Sequence, residues 1–515
     1  MRPRLQVIFL GIVSLLLYLF LTHISKEFNW GEGYADRPIL TYLGIYFSLS
    51  LLFFSTCAIL LKQPEDRFTF WAIIALGLLF RLSILPAQQL QEDDVYRYLW
   101  DGKVFSNNIN PFEYSPSEVH EFKELRIQNP ETYYKIYNER NERELEKLSA
   151  LKWESPKSLK YLERVNHPGV PTIYPPMAQF VFRAVHSIKP DSILTMRVAF
   201  LLFDVLTLLF IIGILAKLGL NKNMSAVYFW CPLIIKETLN STHLDIIGIA
   251  FLSGSIYFLV SHRHSLATVF LALGFLGKLY PAILFPLYFQ SCLQNSHKKE
   301  GNPWLPPIIN SLLFISIIVL GYIPFMGIGL KMFDGLKAYS LYWQSNDSIF
   351  SCLVFIFKNL TGELSNISFF SNSLPIFLSK LTVVCILMGV LIWLLLKNTS
   401  LSEDPETFLK QLFILMALVF LLSPIQNPWY LCWVVPFLCL FPLRSWILLT
   451  GLVGLYYLDF YFDYQEIQSW KIWIPWIEYL PFYLLLILDL QNKNKVLKKG
   501  KNNKTTDQPN RKQST

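Results

Sequence analysis

FTFWAIIALGLLFRLSILPAQQLQEDDVYRYLWDG, residues 68–102, joins two environments in one stretch. Residues 68–85 form an apolar run, interrupted mainly by Arg81, of the length that marks a membrane-crossing helix. Glu92, Asp93, Asp94, Arg97 and Asp101 follow almost at once. A chain that ends a lipid-soluble helix and immediately gathers carboxylates has placed polar chemistry at the membrane boundary.

The rest of the sequence repeats the first half of that pattern. Of 515 residues, 53% are hydrophobic and only 16% charged, against about 25% charged in soluble domains. Apolar runs cover 5–24, 39–61, 68–85, 193–218, 226–241, 244–261, 264–277, 280–291, 308–327, 374–396, 409–424, 428–442, 446–462 and 474–491. They predict an all-α polytopic membrane protein with about 12–14 transmembrane helices. The first run follows Arg2 and Arg4 and is not followed by a small-residue cleavage site, so it reads as a retained anchor. The seven cysteines are scattered, mostly within apolar runs, and form neither a disulfide framework nor a zinc pattern.

Lys and Arg decide the expected orientation. If the first run leaves the cytoplasm, the basic turns at 62–67, 217–222, Arg263, 298–299, Lys397 and Arg444 all lie inside, and both termini are cytoplasmic. Much of the net charge of +8 sits in the tail 493–515, KNKVLKKGKNNKTTDQPNRKQST. That segment reads as a disordered cytoplasmic tail facing anionic headgroups, and nucleic acid is not an expected partner. Three segments then face outward: 86–192, 328–373 and 463–473. The chain accordingly divides into N-terminal transmembrane helices (1–85), a large non-cytoplasmic loop with interfacial helices (86–192), a transmembrane bundle (193–491) and the basic tail (492–515).

Within the large loop, residues 91–104 predict a helix that begins at the surface and puts Asp94, Arg97 and Asp101 on one face. The segment 117–164, with KIYNERNERELEKLSALKWE, reads as exposed helix. Pro175 and Pro176 suit the first turn of a helix over 177–188 lying at the interface. Further ionisable residues fall inside the apolar runs, Arg81, Arg197, Asp204, Lys236 and Glu237, with Lys278 at the outward turn between two short runs and His243 and Asp245 close to a helix end. A charge at mid-bilayer costs about 3 kcal/mol, so each requires a partner or a polar cavity. Pairing of Arg197 with Asp204 and snorkelling of Arg81 are the structural expectations for those groups. By the topology, Asp93, Asp94, Glu237 and Asp245 share the outer edge of the bilayer with Arg81, Lys278 and His243. A carboxylate can accept a proton from a hydroxyl, and Lys and Arg can hold a phosphate, so the grouping suits transfer from a lipid phosphate.

Five segments, EDDVYRYLWDGKVFSNNINPFEYSP (92–116), HPGVPTIYPPMAQF (167–180), PLIIKETLNSTHLD (232–245), GKLYPAILFP (277–286) and SPIQNPWYLCWVVP (423–436), resemble the C-type (GT-C) polytopic glycosyltransferases. The likeness is closest to the bacterial mannosyltransferase branch, glycosyltransferase family 87. The resemblance implies a helical bundle in the bacterial inner membrane. It also implies a hexose, mannose-like, moved from a polyprenyl-phosphate donor to a hydroxyl on a glycan, lipid or protein at the non-cytoplasmic face. It implies an acidic catalytic base at Asp93 or Asp94 and basic residues, Lys278 and Arg81, at the lipid phosphate. Arg97, Glu237, His243, Asp245 and the aromatics Tyr174, Trp429 and Tyr430 complete the expected substrate-binding set. Single displacement with one base predicts inversion. Helical spacing makes Asp94 the expected base, on the face of Arg97 and Asp101, with Asp93 about 100° away. Asp93, Asp94, His243 and Asp245 also offer donors to a divalent cation, but the expected site uses no cofactor. The rival class is a flippase or transporter of the lipid-linked sugar.

Overall fold

A computed structural model describes residues 3–31, 33–298, 300–361 and 374–506, with backbone only for 492–506. The basic tail expected from 492 therefore lies, for its side chains and for all of 507–515, outside the described residues, as does the 362–373 part of the second outward segment. The chain is an all-α multi-pass membrane protein. Among the described residues, nine helices are long and apolar enough to cross a bilayer: Pro3–Glu27, Tyr34–Leu60, Arg67–Ile84, Ile193–Lys217, Leu305–Tyr342, Leu374–Leu396, Pro405–Leu422, Arg444–Tyr464 and Gln468–Gln491. Three shorter apolar helices, Asp245–Val260, His264–Gly277 and Ile349–Thr361, join them. Their lipid-facing surfaces carry exposed Leu16, Leu51, Leu202 and Leu320, as expected where lipid replaces water.

Polar caps set where helices start. Asp66 accepts the Thr69 amide at 2.9 Å, and Ser192 accepts the Thr195 amide at 3.2 Å. The first helix packs against the second and third. Ile193–Lys217 packs on Asp245–Val260, which pairs in turn with His264–Gly277. At that last crossing a β-carbon on Gly277 would lie 3.2 Å from the Gly248 amide nitrogen, so the two backbones approach as only small residues allow.

Two apolar runs expected to span do not form continuous helices. Run 226–241 breaks into Ala226–Phe229, Pro232–Ile235 and a π-helical turn, Lys236–Asn240. Run 428–442 breaks into Pro428–Leu431 and Val435–Leu438. Pro232, Pro428 and Pro436 remove amides and stop helix propagation. Both segments are buried and pack against each other inside the bundle. Broken backbone is tolerated at membrane depth only when protein covers it. Run 280–291 similarly divides into a 3₁₀ turn, Tyr280–Leu284, and Phe285–Ser296.

The 86–192 segment folds into six helices, Asp94–Ser106, Pro116–Gln128, Pro130–Ile136, Glu139–Leu151, Pro156–Glu163 and Pro176–Ile188. Ser115 and Glu118 form a reciprocal cap, and Asn138 caps the charged helix that follows it. Helix Asp94–Ser106 begins three residues later than residue 91. It lies on Pro176–Ile188 through Gly102, where a β-carbon would collide with the Phe182 carbonyl. Tyr98 stacks on Phe182 at 4.7 Å in the same interface. These contacts hold the acidic end of the helix above the broken segments.

Candidate functional site

Gln91, immediately before the carboxylates, has φ 69°, the left-handed region that a side chain makes costly, by about 1–2 kcal/mol. Its amide group is held on both sides, accepting from Arg37 at 2.7 Å and donating to Tyr464 at 3.0 Å. Thr242, before His243, also has positive φ, 63°, and accepts from Arg197 at 3.2 Å. Backbone held in this region by side chains from other helices directs Glu92 and His243 toward one another.

The acidic stretch then opens onto two cavities. The first, about 630 Å³, is lined by Glu92, Asp93, Asp94, Arg97 and Lys278, and by a wall of aromatics that includes Tyr174, Trp343, Trp429 and Tyr430. A backbone bridge between Ser345 and Ile425 closes its far side. The second, about 940 Å³, lies between the ends of the first and third helices, helix Pro156–Glu163 and the start of Ile193–Lys217. Gln91, Glu92, Asp93 and Phe460 line both.

Asp93 occupies the position before the first helical turn, and its side chain does not cap it. Asn166 clamps the pair, donating to Asp93 at 2.8 Å and to Asp94 at 2.7 Å, and Tyr98 donates to Asp94 at 3.4 Å. Burial, and then the charge of Asp94, push the Asp93 carboxyl up to about 7. Burial also raises Glu92 well above the usual range. Arg97 and Asp101, expected to orient Asp94, do not contact it. The guanidinium turns to the carbonyls of His167 and Val170 (3.2 and 2.8 Å), and Asp101 accepts from Gln179 at 3.3 Å.

Behind the carboxylates, His243 is stacked on Trp429 at 4.0 Å. Its Nδ1 meets Glu237 at 3.0 Å. Its buried Nε2, which has no hydrogen-bond partner, faces Asp94 at 3.8 Å and Glu92 at 3.9 Å. Glu237 is fixed further by Tyr457 at 2.9 Å and Lys236 at 3.2 Å. Asp245 accepts from Trp433 at 2.6 Å and from Lys278 at 3.2 Å, and Lys278 lies 4.9 Å over the Tyr430 ring. Tyr430 meets Tyr339 through their hydroxyls at 2.6 Å. Both oxygens of Asp245 are thus engaged, one by Trp433 and one by Lys278.

All the expected site residues gather here except Arg81. Arg81 is fully buried within the bundle, bonded to Asp204 and to the carbonyls of Gly77 and Phe229. It neither snorkels nor lines either of the two cavities. Arg197, expected to pair with Asp204, instead donates to the carbonyls of Leu85, Ala87 and Asn240. The pairing differs because the Asp66-capped helix sets Arg81 beside Asp204, whereas Arg197 starts its helix at the chain crossing. Sequence reasoning missed Asn166 and Trp343. Asn166 stands one residue before the HPGVP motif, which was its only signal. No protein-family model, curated protein or solved structure matches the chain.

Proposed function

We propose that the protein is a membrane glycosyltransferase that moves a hexose, mannose-like, from a polyprenyl-phosphate carrier to a hydroxyl acceptor. One observation carries the reading: a half-buried carboxylate, Asp93, lines two cavities at once. Two substrates can therefore meet at one base. The donor enters the first cavity, with its phosphate toward Lys278 and Arg97 and its sugar against Tyr174, Trp429 and Tyr430. The acceptor enters the second.

In this mechanism the acceptor oxygen attacks the anomeric carbon, the bond to the lipid phosphate breaks, and that phosphate leaves with the bonding electrons. Asp93 accepts the hydroxyl proton in the transition state, worth about 10²–10⁴-fold in rate. The sugar is displaced once and its configuration inverts. Asp93 replaces Asp94 as the base because it touches both cavities, while Asp94 supplies the neighbouring charge that favours proton uptake. The Glu237–His243 pair faces the carboxylates from behind and positions them. By the Lys and Arg distribution the site belongs on the non-cytoplasmic face, with the termini inside, and the family resemblance puts it in a bacterial inner membrane.

Purified protein supplied with a labelled polyprenyl-phosphate hexose tests the reading. Release of polyprenyl phosphate with formation of an inverted glycoside is expected. Movement of intact donor across vesicles without its consumption would replace the enzyme by a flippase.

A further inference from the structure

The two cavities differ in charge. The first carries three carboxylates against two cations, Arg97 and Lys278, and Lys278 is already paired with Asp245. The second is lined by five cations, Arg37, Lys157, Lys160, Arg164 and Arg197, against only Glu92 and Asp93. Among the described residues, none of these five forms an ion pair. Arg37 and Arg197 are bonded to carbonyls and neutral side chains. Arg164 lies over Trp30 (4.7 Å) and near the Tyr96 ring (5.3 Å), donates to the Tyr96 hydroxyl at 2.8 Å, and leaves a buried Nε without a partner. Lys157 and Lys160 are exposed on helix Pro156–Glu163, at the water-facing wall.

Cations without carboxylate partners that line one cavity favour an anion sharing it, and an anchored guanidinium is suited to a phosphate or carboxylate. We infer that the second cavity binds an acceptor carrying a negative charge, a phosphorylated or carboxylated glycan, with Arg164, Lys157 and Lys160 holding that charge. The inference rests on the glycosyltransferase reading for the word acceptor. The anion subsite itself rests only on the cavity. Lys157 and Lys160 lie on the soluble helix rather than on a membrane span, which favours a water-borne anion over the donor's lipid phosphate.

The probes are a hexose 6-phosphate and the same free hexose, titrated against the full-length protein in detergent at low salt and followed by fluorescence, with Trp30 in the cavity wall. The sugar phosphate is expected to bind at least about tenfold more tightly, with the preference falling as salt is added. Arg164→Gln with Lys157→Gln and Lys160→Gln should abolish the preference. The double variant Lys157→Gln/Lys160→Gln, which alters only exposed side chains, should reduce it. Equal binding of the two sugars, or a preference that survives in the triple variant, overturns the proposal. So does a triple variant whose loss falls on polyprenyl phosphate in nanodiscs and not on hexose 6-phosphate, since the cations would then serve the donor. If the preference and its loss are seen but no polyprenyl-phosphate hexose is consumed, the anion subsite stands and the transferase reading falls.

Discussion

Two buried ionic groups sit in the same bundle and differ in one respect. Arg81, Asp204 and Tyr228 form a closed set: Arg81 donates to Asp204 and two carbonyls, and Tyr228 donates to Asp204 at 2.6 Å. Glu237, His243, Glu92 and Asp94 form an open one, in which His243 Nε2 and Glu92 Oε1 have no hydrogen-bond partner and the chain of groups ends at a cavity. Both bury charge, and both would be flagged by a search for intramembrane ionisable residues. Only the open set retains capacity for a substrate. Burial of charge therefore identifies cost, and unsatisfied atoms at a cavity identify a use for it.

The largest effect should separate the two at the open end. Asp93→Asn is expected to lower transfer by about 10²–10⁴-fold, the contribution of a general base, while donor binding persists. The same variant should raise the melting temperature at pH 8. A carboxyl raised to about 7 holds its proton more firmly in the folded than in the unfolded chain, so stability falls as pH rises from the ordinary carboxylate range through about 7, and at pH 8 that whole loss is present and is relieved by the neutral amide. Loss of activity together with loss of fold would remove Asp93 from the catalytic role.

The closed set should respond only in stability. Arg81→Ala strands Asp204 and is expected to cost about 3–5 kcal/mol, read as reduced thermal stability in detergent. Replacing the whole set by Arg81→Met, Asp204→Leu and Tyr228→Phe should restore most of it, with turnover per folded molecule unchanged. If the apolar triple variant is stable but inactive, Arg81 belongs to the site after all.

A smaller effect is expected at His243. His243→Gln should lower kcat by roughly 10–100-fold, the scale of a group acting through another, with donor KM and melting temperature nearly unchanged. A parallel fall in stability would return His243 to a packing role on Trp429. The smallest effect is a displacement on the pH axis. Because the base must be ionised, kcat/KM should climb as pH rises through about 7 and level off above. Asp94→Asn removes the like charge that raises Asp93, so its acid limb should move to lower pH. A limb that stays in place would mean Asp94 does not act on Asp93.

How much of this was legible before folding varies by residue. The acidic stretch, Lys278, His243, Asp245 and the aromatics at 429 and 430 could be found because a polar group within or beside an apolar run has few uses. Arg81 met the same criterion and was misread. Its partner lies 123 positions away on another helix, and spacing within a helix carries no information across helices. Spacing is equally silent on how Asp93 stands to Asp94: the helix begins at Asp94, so Asp93 lies on non-helical backbone where a 100° step has no meaning.

By itself the sequence determined the solvent. Its apolar runs, few charges and basic turns specify an all-α chain in a bilayer, because every backbone group in lipid must be satisfied within its own helix. It also holds the prolines, Pro232, Pro428 and Pro436, at which the runs 226–241 and 428–442, expected to span, are interrupted in the fold, since proline cannot propagate a helix. Only the tertiary structure decided that those two segments pack back to back beneath residues 92–94, that Asp93 stands between two cavities, and which charges are closed and which are open. Those outcomes depend on contacts between residues hundreds of positions apart, and packing between helices selects them.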